Sequence, residues 1–356
     1  MKPHNMVNAA REAARSLELF LANFPNVEIE EILRDDPSNR DKGIDIRVEG
    51  RFADRPLHLA VDVKSSGQPR IVRDAARQLR TYLQDAHIDA IPIVMAPYLS
   101  PQARDVCKDE RVGYLDFMGN ALIAFDTVYI EREVPGRPEA ERRVLRSLYQ
   151  PKSARILRRL LAEPGRSWRT VELAEAAQVS VGLVSNVSSV LRERGWADQT
   201  NAGLRLSAPG DLLDCWAENY RPPQGEEFRR YTTLHGSSLA ERLRGLDALD
   251  GKVALASFSA AEWQSPFARH PNHYFYADEA GLAALDQLLA TTQAPKGANV
   301  IIVVPEEEGV LDDAIPVGEG RIATSPVQTY LDLMQGGDRG QEAAAHLRQK
   351  LLDRAP

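Results

Sequence analysis

Two short segments, Gly43-Ile-Asp-Ile-Arg-Val48 and Leu57-His-Leu-Ala-Val-Asp-Val-Lys64, decide how the N-terminal third of this chain folds. Each alternates or runs apolar as a buried strand does, and the Gly/Arg/Pro-rich stretch between them is typical of a hairpin connection. Asp45 and Asp62 converge if they lie on adjacent strands and point the same way. Lys64 follows Asp62 by two residues, so we expect it on the same face of the sheet.

Two carboxylates and a lysine at one edge of a sheet suit phosphodiester hydrolysis. Asp45 and Asp62 can hold a Mg²⁺ ion through their oxygens, while Lys64 places a cation beside a phosphate. The alternative is that these three residues are solvated at strand ends or form a plain salt bridge. The apolar neighbours of Asp62 argue against that alternative, because an unpaired acid is costly among them.

The flanking pattern predicts an α/β layer around one sheet. A helix over residues 6–23 and a strand over 27–33 come first. After the two strands follow a helix over 71–83, a strand over 91–96, a helix over 100–108 and a hairpin over 112–125 that turns at Gly119-Asn120.

This order resembles the PD-(D/E)XK nuclease superfamily, the restriction-endonuclease-like fold, over about residues 6–133. Asp45 in Gly-Ile-Asp matches its first acidic element, and Asp62-Val-Lys64 matches its Asp-x-Lys element. Gln78 and Tyr82 match the Gln-x-x-x-Tyr element of some members. The resemblance implies that these five residues are the catalytic ones.

Two questions about this domain, which we place at residues 1–133, stay open. Many members of the superfamily carry a Glu on the first helix, and Glu12 and Glu18 both fit that position. The fold also occurs without catalysis, as a DNA-binding or dimerisation module. The sequence does not choose between an active and an inactive domain.

A basic stretch links this domain to the next. Arginines crowd residues 131–169, where acids are few, and Pro135, Gly136 and Pro138 mark a linker that we place at 134–150. The formal net charge of the whole chain is -7, so any nucleic-acid binding must come from a local patch. Such a run is either a solvated helix face or part of that patch.

Residues 151–210 predict a winged helix-turn-helix. Helices over 153–161, 171–177 and 181–194 are followed by a hairpin over 196–206, and the order resembles that of bacterial regulators. Short polar side chains of the third helix would face base edges, and arginines would hold the phosphates. The predicted DNA-binding residues are Ser180, Gly182, Ser185, Asn186, Ser189, Arg192, Arg194 and Arg205. The alternative is a winged helix used for protein contacts, because the start of this helix is poor in Arg and Lys.

The last predicted domain, residues 211–356, starts with an amphipathic helix over 212–220. It then alternates strands and helices again, the first strand lying over 231–233. The segments Ser325-Pro-Val-Gln-Thr-Tyr-Leu-Asp-Leu333 and Asp338-Arg-Gly-Gln-Glu-Ala-Ala344 resemble the AbiEi family. Its members are antitoxins of type IV toxin–antitoxin systems, and the resemblance covers about residues 150–353. It implies transcriptional autoregulation and a nucleotidyltransferase-like toxin as a partner. The long N-terminal domain departs from the family pattern.

Bulk properties narrow the remaining possibilities. A chain of 356 residues predicts two or three domains. Its two cysteines, Cys107 and Cys215, predict neither a disulfide framework nor a zinc site, and they favour a reducing cytoplasm. No apolar run is long enough for a membrane span, and the N-terminus does not predict a signal peptide.

These patterns predict an α/β protein that binds double-stranded DNA in a sequence-specific way. The first hypothesis is an antitoxin-like transcriptional regulator, expected to be a homodimer. The alternative is a Mg²⁺-dependent DNA endonuclease that its winged helix directs to a site. Magnesium belongs only to the second hypothesis, and the sequence leaves open whether the protein is an enzyme.

Overall fold

A computed structural model describes residues 3–34, 44–53, 55–125, 128–267 and 270–353. Gly43, at the start of the opening segment, lies outside these residues. The chain divides into two compact units, Met1–Arg143 with Leu191–Gly195 and Val144–Val190 with Trp196–Pro356. Among the described residues, no helix is both long and apolar enough to cross a membrane.

The first unit is built on a mixed sheet of seven strands among its described residues, and their spatial order follows the chain. The central strands β3, β4 and β5 are parallel, and every other neighbouring pair is antiparallel. The strands are β1 (Val27–Arg34), β2 (Ile46–Phe52), β3 (Arg55–Val63), β4 (Ile91–Ala96), β5 (Gly113–Asp116), β6 (Ala121–Phe125) and β7 (Val128–Arg132).

Helices cover both faces of this sheet. Alternate residues of β3 such as Leu59 and Val61 pack with Leu17 of helix α1 (Pro3–Leu21). The opposite face receives α2 (Pro69–Asp85) and α3 (Pro101–Asp109). The predicted helices and strands of residues 6–125 are therefore present, with ends that differ by a few residues. Since successive side chains of a strand alternate between faces, Ala60 and Asp62 project towards α2.

In the second unit, helices and a hairpin precede a second sheet. Helices α4 (Glu139–Leu148) and α7 each contribute residues to both units. The strands β8 and β9 form a two-stranded antiparallel hairpin, and Leu204 of β9 also forms an isolated antiparallel bridge with Trp168. The elements after α4 are α5 (Pro151–Ala162), α6 (Thr170–Ala176), α7 (Val181–Glu193), β8 (Ala197–Thr200), β9 (Gly203–Leu206) and α8 (Pro209–Asn219).

The second sheet has the order β13-β10-β14-β12-β11-β16-β15. Its first strand is not at the predicted 231–233: it runs over Gly225–Tyr231 and pairs along its length with β14. The strands are β10 (Gly225–Tyr231), β11 (Val253–Leu255), β12 (His273–Ala277), β13 (Thr292–Gln293), β14 (Val300–Pro305), β15 (Ile315–Pro316) and β16 (Ile322–Ala323). The helices are α9 (Gly236–Arg242), α10 (Ser257–Gln264), α11 (Glu279–Leu288), α12 (Gly309–Asp312), α13 (Pro326–Met334) and α14 (Gly337–Leu347). The described part of the chain is thus a mixed α/β protein.

Candidate functional site

The carboxylate pair lies where β2 begins and β3 ends. These strands are antiparallel, with Ile46 opposite Val61, so the start of one adjoins the end of the other. The backbone N–H of Asp45 donates to the carbonyl of Val61 at 2.8 Å, and Asp45 Oδ2 accepts from the N–H of Val63 at 2.7 Å. Backbone groups of β3 therefore hold the Asp45 carboxylate beside Asp62.

Asp62 is almost fully buried, at 1% exposure, yet only one of its oxygens has a partner. Lys64 Nζ lies 2.7 Å from Asp62 Oδ1. Asp62 Oδ2 is buried and accepts no hydrogen bond from the residues that the structure describes. The Lys64 side chain is 30% exposed, so the ammonium group reaches solvent while it contacts the carboxylate. An unsatisfied buried oxygen of this kind calls for an explanation, and a bound ligand is one.

The electrostatics of the three groups are coupled. Burial raises the pKa of Asp62 to about 6, and the negative charge of Asp45 acts in the same direction. The ammonium of Lys64 opposes both effects and lowers the pKa of Asp62. Two acids and a cation therefore share one desolvated edge of the sheet, which is a common arrangement at functional sites.

The other residues predicted for this site lie differently. Tyr82 is half-buried against the cluster of Ala60, Leu79 and Leu83, on the face to which Asp62 projects. Gln78 is exposed on α2. Glu12 and Glu18 are exposed on α1, which packs on the opposite face. Across the described ranges, no hydrogen bond or ion pair joins Gln78, Glu12 or Glu18 to the two aspartates.

The donor set meets part of what a magnesium ion requires. Mg²⁺ binds carboxylate oxygens and keeps several waters, so two carboxylates suffice where water completes the shell. Asp62 Oδ2 supplies a buried oxygen that lacks a donor. No group of three His, Cys, Asp or Glu side chains able to hold a metal occurs within the described residues. Any ion here would be held by Asp45 and Asp62 alone among the side chains.

The second candidate surface is α7. Val184, Val187 and Leu191 are buried, as the 3.6-residue period predicts, and the opposite face is open to solvent. Ser180 Oγ caps the helix by accepting from the N–H of Leu183 at 3.2 Å. The predicted DNA-facing residues Ser180, Gly182, Ser185 and Asn186 are exposed, and Ser189 is half-buried.

The three predicted phosphate-binding arginines do not share one environment. Arg205 is exposed on β9, and Arg192 is half-buried near the end of α7. Arg194 is 6% exposed, and its guanidinium pairs with Glu141 at 2.5 Å. The predicted phosphate contact of Arg194 therefore has no support in its placement, because its charge is inside the protein and already neutralised.

Most arginines of the basic stretch after the linker also form ion pairs within the protein. Arg158 pairs with Asp313 at 2.7 Å, and Arg159 pairs with the same carboxylate at 3.0 Å. Arg155 pairs with Glu307 and, at 3.1 Å, with Asp312. The acidic residues around 306–313 are visible in the sequence, but no local pattern places them beside α5.

Three cations of the second unit stay open to solvent. Lys152 and Arg169 are exposed and, like Arg205, form no ion pair with any described residue. Lys152 lies in the first turn of α5, Arg169 immediately precedes α6, and Arg205, one of the predicted phosphate-binding arginines, lies on β9. Of the three, Lys152 lines a groove together with Val181 and Leu183, so it is an exposed cation beside the start of α7.

A second buried aspartate, Asp332, lies in the Ser325–Leu333 motif. Its Oδ1 accepts from the hydroxyls of Tyr220 at 2.5 Å and Tyr276 at 3.2 Å, and from Gln328 Nε2 at 2.9 Å. Burial raises the pKa of Asp332 to about 6, and the three hydrogen bonds lower it in part. The cluster fastens α13 to α8 and β12, so this part of the motif has a structural role.

Comparison with known protein families finds a match within the second unit. Residues 205–353 match a family described as transcriptional regulator, AbiEi antitoxin, type IV TA system. The AbiEi-like resemblance inferred from the C-terminal motifs is therefore confirmed over those residues. No curated protein matches the chain.

A solved structure also matches part of the chain. It is EndoMS in apo form, with 19% sequence identity and a TM-score of 0.21. The match covers 29% of this chain and 45% of that structure, so the chain spans less than half of its length.

Proposed function

We propose that this protein is a sequence-specific DNA-binding transcriptional regulator of the antitoxin type. The match of residues 205–353 to an AbiEi antitoxin family carries the proposal. The three helices α5, α6 and α7 precede that region, and the hairpin β8–β9 ends at its start, in the order of a winged helix-turn-helix. In this proposal α7 enters the major groove of double-stranded DNA, and the protein represses its own transcription.

The exposed face of α7 supports the proposal. Ser180, Gly182, Ser185 and Asn186 offer short side chains that let the helix approach base edges closely. Exposed Arg205 would bind the phosphate backbone from the hairpin. We further propose a homodimer, because regulators of this type bind paired half-sites, and a nucleotidyltransferase-like toxin as the partner that the family implies.

A DNA-binding experiment tests the regulator. The full protein is footprinted on the DNA upstream of its own gene, beside Asn186→Ala and the control Asn26→Ala, an exposed asparagine of the first unit. We expect protection of a discrete site and a loss of roughly 1–3 kcal/mol of specific binding for Asn186→Ala. Equal affinity for all DNA, with no protected site, would rule the regulator out.

A second candidate function is a metal-dependent DNA endonuclease of the PD-(D/E)XK type. The unpartnered buried oxygen of Asp62, beside the Asp45 carboxylate, favours it. Asp45 and Asp62 would hold Mg²⁺, which polarises a phosphoryl oxygen and a bound water when present. Lys64 would orient the attacking water or stabilise negative charge on the phosphate. Gln78 and Tyr82 would support the site or the DNA backbone.

Plasmid cleavage tests this second candidate. Supercoiled DNA is incubated with the protein and Mg²⁺ or Mn²⁺, beside Lys64→Ala and the control Lys296→Ala, an exposed lysine of the other unit. Nicking by the wild type and the control that is absent from Lys64→Ala supports the nuclease. If the wild type nicks no DNA but still gives a footprint, the nuclease hypothesis fails and only the regulator hypothesis remains.

A further inference from the structure

We propose that α7 reads A·T base pairs, with Val181 against the 5-methyl group of a thymine and Asn186 on the edge of an adenine. The proposal rests on the proposed DNA-binding function and specifies which base pairs that surface selects. It follows from three features of α7: its exposed apolar residue, the hydrogen-bonding state of its polar residues, and the absence of charge along most of its length.

Val181 is exposed although other valines of the same helix are buried in the core. Its side chain is 46% exposed, whereas Val184 and Val187 in the same helix are at most 4% exposed. Val181 therefore contributes little to the core. With Val171, which is 57% exposed, it lines an open groove of about 520 Å³ that also includes the charged side chains of Lys152 and Glu175. A small apolar surface flanked by charged side chains suits a partner that offers single apolar groups among polar ones, as the major groove does, better than a wholly apolar partner.

The major groove has one apolar group that matches this residue. The 5-methyl of thymine is the apolar feature of base edges there, and apolar side chains contact it. A β-branched side chain at the first turn of the helix points its methyl groups outward with few rotamers, so it loses little entropy on contact. Val181 thus selects thymine over cytosine, which lacks the methyl group.

Among the polar residues of α7, Asn186 has the most hydrogen-bonding capacity left. The Ser185 hydroxyl donates to the carbonyl of Val181 at 3.1 Å, and the Ser180 hydroxyl already accepts from the N–H of Leu183. The Asn186 amide is exposed and can donate and accept at once. An asparagine amide pairs with N6 and N7 of adenine in this bidentate way.

The helix carries neither of the two side chains that most often read guanine, Arg and Lys, in its first three turns. Guanine O6 and N7 are read by Arg or Lys, and α7 carries no charged residue before Arg192. At about 100° per residue, Val181 and Asn186 lie about 140° apart around the helix. They therefore border the exposed face on opposite sides and contact different base pairs.

Selection from random double-stranded DNA is the first test, with the full protein as bait. We expect A·T pairs at the contacted positions. Enrichment of a site whose core is G·C would overturn the readout while it leaves DNA binding intact. If no sequence is enriched, the proposed DNA-binding function fails, and the readout fails with it.

Modified bases in the selected site provide the second test. Deoxyuridine in place of one thymine removes only the methyl group, and we expect a roughly fourfold weaker affinity, the effect of one buried methyl group. The Val181→Ala variant should bind both DNAs equally, whereas the control Val144→Ala, an exposed valine of α4, should still distinguish them. If deoxyuridine lowers the affinity of Val181→Ala as much as that of the wild type at every thymine, Val181 does not contact the methyl group.

The adenine contact is tested in the same way. 7-Deaza-adenine lacks N7, and at one position it should weaken binding by the wild type roughly 5-fold or more. Asn186→Ala should bind the normal and modified DNA equally well. If Asn186→Ala keeps the sensitivity of the wild type at every adenine, Asn186 does not read that base.

Discussion

Two buried aspartates, one in each unit, have the same shift in pKa and opposite surroundings. Burial raises the pKa of both Asp62 and Asp332 to about 6. Asp332 gives its Oδ1 to three neutral donors inside the second unit. Asp62 meets another carboxylate and a lysine that reaches solvent.

The comparison shows why a raised pKa alone does not identify a functional carboxylate. Around Asp332, donors on α8, β12 and α13 converge on one oxygen, and the cluster binds these elements together. Around Asp62, a like charge and a half-exposed cation add little to stability. Natural proteins accept such an arrangement where function requires it. The predictions below test whether Asp332 is structural and Asp62 functional.

The largest effect is expected from Asp332→Ala. Three donors lose their acceptor inside the protein, so we expect the free energy of unfolding of the second unit to fall by about 3–5 kcal/mol. Denaturant unfolding monitored by tryptophan fluorescence measures the change. Asp250→Ala, at an exposed aspartate of the same unit, should change it by less than about 0.5 kcal/mol. A similarly small effect of Asp332→Ala would contradict the structural role.

The pH dependence of stability is the next largest effect. Both aspartates have a pKa near 6 in the folded state and near 3.8 in the unfolded state. Between these two pH values the folded state therefore binds more protons than the unfolded state. The protonated carboxyl groups therefore stabilise the fold fully below about pH 4, and this stabilisation is lost as the pH rises through 6. A pKa raised by this amount corresponds to about 3 kcal/mol for each group.

Asparagine variants assign this pH dependence to each group. Unfolding of Asp62→Asn, Asp332→Asn and the wild type is measured between pH 4.5 and 7.5. Each variant should lose less stability than the wild type as the pH rises, because one of the two titrating groups is gone. Parallel curves for the wild type and both variants would show that neither aspartate has the raised pKa.

The sequence was most informative where a local pattern carries the structure. The strands that hold Asp45 and Asp62 are apolar in alternation or throughout, so their positions and the meeting of the two carboxylates could be predicted. The buried face of α7 followed from its helical period in the same way. In both cases neighbours a few residues apart decide which way each side chain points.

Contacts between distant residues could not be predicted in this way. Arg194 is buried because it pairs with Glu141, 53 residues away, and Arg158 pairs with Asp313, 155 residues away. Strand β10, with the sequence Gly-Glu-Glu-Phe-Arg-Arg-Tyr, has almost no apolar alternation. Its pairing with the apolar strand β14 makes it a strand, and that information lies about 75 residues downstream.

A smaller effect is expected from Tyr276→Phe. The hydrogen bond from its hydroxyl is the longest of the three that Asp332 accepts, and the ring of the phenylalanine fills the same space. We expect a loss of about 1 kcal/mol, the contribution of one hydrogen bond. The pKa of Asp332 should rise further, because the Tyr276 hydroxyl lowers it. Denaturant unfolding at pH 7 measures the first change, and the pH profile measures the second.

The smallest loss of stability is expected from Asp62→Asn. At pH 7 the substitution removes a desolvated charge and its repulsion with Asp45, while Lys64 keeps solvent as a partner. The free energy of unfolding should therefore stay within about 1 kcal/mol of the wild type or rise. If the site holds Mg²⁺, the ion should raise the melting temperature of the wild type and leave that of Asp62→Asn unchanged. A loss of several kcal/mol in Asp62→Asn would place Asp62 beside Asp332 as a structural residue.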